Sequence, residues 1–142
     1  MAKEETLFDK IISGDIPCYK VYEDEHVFSF LDIAPQSLGH TLVVPKESKA
    51  YVHELSDDAA AAIGRALPRI CRAVMAASGS SAYNLLQNNG SEAGQSVFHV
   101  HFHIIPCFET KRLDFNWAPT NLTPDNAAVL VAKIDKFLSD EV

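Results

Sequence analysis

Three histidines, His99, His101 and His103, alternate with Val100, Phe102 and Ile104 in this 142-residue chain. Imidazole changes charge near neutral pH and can act as nucleophile, base or acid, so three in one short stretch form a candidate reaction centre. On an extended strand successive side chains point to opposite faces. The spacing therefore predicts one strand over Phe98–Ile105, ended by Pro106, with the imidazoles on one face and apolar side chains on the other. As ligands of a single ion the three are poorly spaced, because four residues of strand separate His99 from His103 by ~13 Å, against Zn–N bonds of about 2 Å. Two of them with a ligand from elsewhere keep a metal site open, but the row reads more as a relay than as a chelate.

The stretch before the row, residues 88–96, is a small polar loop. Gly94 permits close backbone approach, and its amide, those of Gln95 and Ser96, and the Ser96 hydroxyl could face a phosphate without any formal charge. Asn88 could add another donor. Alone, this stretch is equally an ordinary polar turn; beside the histidines the phosphate reading gains. A net charge of -7 argues against a nucleic-acid footprint, which draws on clustered Lys and Arg. Any anionic ligand must be held locally.

The elements that would position these residues follow in order. Thr6 caps a short amphipathic helix carrying Phe8, Ile11 and Ile12, with Gly14 able to end it. Strands are predicted over Cys18–Tyr22 and His26–Leu31, joined by the turn at 23–25, and over His40–Val44, stopped by Pro45. Ser56 caps a long helix with Ile63, Leu67, Ile70 and Val74 at helical spacing, ending near Gly79 and kinked by Pro68. A strand over Ala82–Gln87 leads into the polar loop. Residues 114–122 read as irregular, and Thr123 with Pro124 opens a helical tail over about 123–140. The order predicts a single α+β domain over 1–142, an antiparallel sheet of about five strands with the long helix packed on it and short helices at either end.

Composition sets the outer bounds. At 47% hydrophobic and 22% charged residues the chain reads as a globular protein, and no apolar run approaches the ~20 residues of a membrane helix. The charged start, Met1 to Glu5, reads as neither secretory signal nor transit peptide, which predicts a cytoplasmic protein. Cys18, Cys71 and Cys107 form no C-x-x-C pair, so neither a disulfide framework nor a thiolate metal site is expected, and the thiols are read as reduced and mostly buried.

His99-Val100-His101-Phe102-His103-Ile104-Ile105, preceded by Gly94-Gln95-Ser96, resembles the signature of the histidine-triad (HIT) nucleotide hydrolases and transferases. Asp15-Ile16-Pro17, the run from Phe30 to Pro35 and the run from Gly39 to Lys46 resemble further segments of that family in the same order. The likeness covers roughly the first three quarters of the chain.

The resemblance implies a two-step displacement at the α-phosphate of a purine nucleotide. His101 would be the nucleophile, oriented by the backbone carbonyl of His99; His103 would face the substrate oxygens, and His40 would contribute to proton handling. Asn88, Gly94 and Ser96 match phosphate-binding positions, with Gln95 between them. Asp32 matches the carboxylate that accepts from the ribose hydroxyls, and Phe8, Ile11, Ile16, Phe30 and Ile33 match positions near the base. The implied activity is nucleoside 5′-phosphoramidate hydrolysis; the alternatives are a dinucleoside polyphosphate hydrolase, against which Asn88 leans slightly, and a non-catalytic nucleotide-binding scaffold. A homodimer is implied as well, with no nucleic-acid or membrane partner. Many bacterial relatives hold a structural zinc, but here Thr6, Asp9 and Ser48 stand at three of the usual ligand positions and only His99 remains, so neither metal nor cofactor is expected. The residues after the triad, and the helical tail, depart from the short C-terminus of the phosphoramidase branch.

Overall fold

In the computed structural model, which describes residues 4–141, five strands make one antiparallel sheet in the order β1-β2-β3-β5-β4. They are β1 (Lys20–Glu23), β2 (Val27–Leu31), β3 (Thr41–Pro45), β4 (Ala82–Gln87) and β5 (Phe102–Cys107); the helices are α1 (Leu7–Ser13), α2 (Asp57–Ser78) and α3 (Pro124–Asp140). This is the expected α+β arrangement. The reading of Met1 to Glu5 as no leader, and the domain limits at residues 1 and 142, lie wholly or partly outside the described residues.

Alternation along β2 and β3 divides the core into two. Val27 and Val43 point to one face and pack with Ala62, Ile63, Ala66, Ile70 and Val74 of α2 and Ile104 of β5. Phe28, Phe30, Leu42 and Val44 point to the other and pack with Phe8 and Ile11 of α1. Side chains as completely buried as Val27, Val43 and Val44 each contribute roughly 1.5–3 kcal/mol to stability. The site lies on the α1 face.

Local chemistry sets the helix limits. Thr6 Oγ1 accepts from the Asp9 amide at 3.0 Å while the Asp9 carboxylate accepts from the Thr6 amide at 2.9 Å, a reciprocal cap that starts α1. Ser56 accepts from the Ala59 amide and starts α2, which runs on through Pro68 because Ile63 and Ile70 are buried on either side of it. No described helix is long and apolar enough to cross a membrane. None of the described α3 residues is buried; Leu130, Val131, Ile134, Phe137 and Leu138 are all exposed.

Four expectations need correction. β5 begins at Phe102, so His99 and His101 precede the ladder; there the Val100 amide donates to the Lys49 carbonyl at 2.8 Å instead of to a neighbouring strand. Pro106 does not end β5 but pairs with Tyr83 of β4. Pairing with β3 stops at Thr41↔Ile104, and beyond it a residue without an N–H costs no ladder bond; the Pro106 carbonyl accepts from the Ser37 hydroxyl at 2.6 Å. His40 lies one residue ahead of β3. Of the three thiols only Cys71 is buried; Cys18 and Cys107 are half-buried, and none is in a disulfide.

Candidate active site

The three histidines occupy three different environments. The ring of His99 is wholly buried, and its Nε2 lies 2.8 Å from the Pro45 carbonyl, which can only accept, so the proton is on Nε2. Its Nδ1 meets Thr6 Oγ1 at 2.8 Å and lies 3.6 Å from Asp9 Oδ1. Ser48 donates to Asp9 Oδ2 at 2.8 Å. Burial alone would raise the Asp9 carboxyl, but hydrogen bonds from the Thr6 amide and Ser48, with His99 nearby, outweigh it and hold the group below its ordinary value. Thr6, Asp9, Ser48 and His99 thus join the start of α1, the segment after β3 and the triad in one polar cluster.

His101 is held through the backbone. Its Nδ1 donates to the His99 carbonyl at 2.7 Å, which fixes the neutral ring with an unprotonated Nε2. The Phe8 ring meets it edge-on, with centroids 4.9 Å apart. Its neighbour is ordered by a different chain of bonds. The Gln36 amide donates to His40 Nδ1 at 3.0 Å, and His40 Nε2 lies 2.9 Å from His103 Nδ1. With Nδ1 occupied as an acceptor, neutral His40 carries its proton on Nε2 and donates it to His103, which leaves the His103 proton on Nε2. One ring keeps a lone pair and the other an N–H.

Electrostatics keep both rings neutral. Burial pushes His101 below the usual imidazole range, more than the His99 carbonyl and the charge of Asp32 restore. Burial, then the neighbouring His101 and His40, push His103 down to about 4, and burial also lowers His40 against the pull of Asp32. Asp32 Oδ2 is 3.6 Å from His40 Nε2. Asp32, His40 and His103 bring donor atoms within 4.8 Å of one another, a set able to approach a cation, but the space between the two imidazoles is taken by their hydrogen bond.

Two clefts meet at His101 and His103. One, of about 270 Å³, is lined by Phe8, Ile11, Ile16, Phe30, Asp32 and Ile33 among others, so all five apolar positions singled out in the sequence reach it. Ile33 forms its rim and is 84% exposed. The second, of about 290 Å³, is lined by His40, Asn88, Gly94 and Ser96 as well as Asp32 and the two histidines. Gly94 has φ +93° and sits against the Asn88 amide.

Gln95 is not part of that surface. It is buried, and its side chain braces the loop, accepting from the Gly90 amide at 2.7 Å and donating to the Ala50 carbonyl at 2.8 Å. Its own amide donates to Gly90 and that of Gly94 to Ser91. Among the described residues the Ser96 amide and hydroxyl have no such partner, so the loop offers Ser96 and Asn88 where the sequence suggested a run of three amides. Sequence reasoning missed Gln36, whose backbone amide sets the His40 tautomer; the one local signal is the turn around Gly39, where φ is +93° and a Cβ would lie 3.1 Å from Ser78 and 3.3 Å from Pro106.

A paired imidazole lone pair and imidazole N–H, set between an apolar cleft and a donor-lined one, define a histidine-based reaction site on an α+β sheet. The chain matches the HIT domain over residues 13–110 and belongs to that family. Protein hit of Bacillus subtilis is 52% identical over 103 residues, which is 72% of this chain and 71% of that protein. Adenosine 5′-monophosphoramidase of Schizosaccharomyces pombe is 45% identical over 129 residues, covering 90% of this chain and 94% of the relative. The crystal structure of a HIT family member from Bacillus subtilis superposes with a TM-score of 0.88 at 43% identity, over 94% of this chain and 96% of that one.

Proposed function

We propose that the protein hydrolyses nucleoside 5′-phosphoramidates of purines through a nucleotidyl-His101 intermediate. The observation that carries the reading is the 2.7 Å bond from His101 Nδ1 to the His99 carbonyl, which leaves a neutral Nε2 as nucleophile between the two clefts. The name of the Schizosaccharomyces pombe relative supports the same chemistry. In the first step the Nε2 lone pair forms a bond to the α-phosphorus, the P–N bond to the leaving group breaks, and the departing nitrogen keeps that electron pair and takes the His103 Nε2 proton. In the second, a water oxygen bonds to phosphorus, the His101–phosphorus bond breaks, and one water proton returns through His103 as the nucleoside monophosphate departs. Ser96 and Asn88 would stabilise the charge that builds on the phosphoryl oxygens. Asp32 would accept from the ribose hydroxyls and the Phe8 cleft would take the base.

The residues at the zinc positions do not fit a zinc ion. Two are hydroxyls, none is a thiolate, and they hydrogen-bond one another around a His99 whose Nε2 is spent on Pro45. We read the cluster as a metal-free join between α1 and the triad, and the chemistry as independent of metal or cofactor. β4 is an edge strand with Tyr83 and Leu85 exposed, which supports a homodimer paired across that edge. Free thiols support a cytoplasmic setting.

The reading is tested by steady-state hydrolysis of adenosine 5′-phosphoramidate. Replacement His101→Ala should abolish turnover while AMP affinity stays within about tenfold, or ~1.4 kcal/mol. Turnover that survives the replacement would refute the nucleophile.

A further inference from the structure

Beyond the two clefts that meet at His101 lies a third cavity, of about 150 Å³, lined by Gln36, Ser37, Ile105, Pro106, Thr110, Lys111, Arg112 and Leu113. It shares Gln36, Ile105 and Leu113 with the cleft that holds His40, Asn88 and Ser96, so the two adjoin. The order along the surface is therefore an apolar nucleoside cleft, the imidazole pair, the phosphate-side cleft and this cavity. A substrate whose base lies against Phe8 and whose phosphorus lies at His101 sends its leaving group the other way.

The chemistry of the cavity is cationic. Lys111 and Arg112 both line it, and neither has an acidic partner among the described residues. No carboxylate lines it, although Glu109 and Asp114 are close in sequence. In a chain of net charge -7 two adjacent uncompensated cations on one cavity wall are a local exception. Their backbone is also held: the Phe108 amide donates to the Lys111 carbonyl at 2.7 Å and the Lys111 amide returns to Phe108 at 3.0 Å, closing a turn directly after β5. The Ser37 hydroxyl is committed to Pro106, which leaves the Thr110 hydroxyl and the Gln36 side chain as neutral donors beside the two charges.

We propose that this cavity is the leaving-group subsite of the hydrolase reaction above, on which the inference rests, and that Lys111 and Arg112 select substrates whose departing group carries an anion. A carboxylate on the departing amine is one such group. Long-range attraction would concentrate it at the cavity, and Arg112 offers the planar donor fork that pairs with an oxyanion.

A matched pair of substrates isolates that charge: the adenosine 5′-phosphoramidate of β-alanine, and the same compound with its carboxylate converted to a carboxamide. The wild-type protein should prefer the carboxylate in kcat/KM, and the double replacement Lys111→Gln with Arg112→Gln should cut that preference by about fivefold or more, in line with two partly exposed charge contacts. The preference should also shrink with added salt. Equal kcat/KM for the two compounds in the wild type, or a preference that survives the double replacement, would overturn the subsite. Binding of both compounds to His101→Ala protein, with and without the two Gln replacements, separates this inference from the reaction. If neither compound is hydrolysed by the wild type, the hydrolase reading fails; a carboxylate preference in binding that disappears with Lys111 and Arg112 would still support the subsite, and equal affinities would dismiss it.

Discussion

His99 and His103 are four residues apart and carry the same side chain, yet one is a buried strut and the other lines two clefts. At the His99 end both ring nitrogens are engaged by protein groups, Pro45 on one side and Thr6 on the other. At the His103 end only Nδ1 is taken, by His40, and Nε2 is left for whatever enters the cleft. The difference teaches that an imidazole is assigned its work by what occupies its second nitrogen. The backbone between them couples the two ends, since the carbonyl of the strut orients the His101 ring.

Replacing each end separately sharpens the contrast. His103→Ala should lower kcat by about 10³-fold, the range for loss of a positioned proton donor, with little change in chemical denaturation. His99→Ala should instead cost about 3 kcal/mol of stability, because it opens a cavity and strands the Pro45 carbonyl and Thr6 hydroxyl; urea unfolding measures it. The reverse pattern would break the comparison. A smaller effect follows at the edge of the buried cluster: Ser48→Ala should cost about 1 kcal/mol. Asp9 is held below its ordinary value, so its contribution is present above the unfolded carboxyl pKa and lost as pH falls through the folded one. Without Ser48 the folded carboxyl moves up toward its unfolded value, so that loss should be smaller and complete at a higher pH, read from unfolding curves between neutral and acid pH.

The cleft histidines give the broadest signal. Because burial lowers His40, His101 and His103, the folded protein binds fewer protons than the unfolded chain below the ordinary imidazole value. Stability should therefore fall as pH drops, and the His103 share should be lost between about 6.5 and about 4. The variant His103→Ala should flatten that part of the profile. Turnover should persist below the ordinary imidazole value, since His101 stays neutral there.

Much of this was legible in the sequence where one residue type has one strong local meaning. Thr6, Ser56 and Thr123 cap the three helices as expected, and alternation correctly sends Phe102 and Ile104 to the α2 side of the sheet with His103 opposite. Alternation failed at His99, because it presumes a paired strand and the chain there bonds to Lys49 instead. Gln95 misled for a related reason: a polar side chain in a polar loop looks available, but its bonds to Gly90 and Ala50 depend on where a segment 45 residues away comes to rest. Gln36 was invisible because it acts through its amide, which every residue but proline has. Lys111 and Arg112 carried no signal in the sequence, because only the course of the chain after β5 brings them to the cavity lined by Gln36 and Ile105.

The covalent intermediate is the claim on which the rest depends, and it is open to direct capture. Enzyme mixed with adenosine 5′-phosphoramidate, quenched within a single turnover and digested at a pH that preserves phosphohistidine, should yield one adenylylated peptide, modified at His101 and absent from His101→Ala protein. Full turnover with no adduct at any quench time, or an adduct at His103 or His40 instead, would contradict the account.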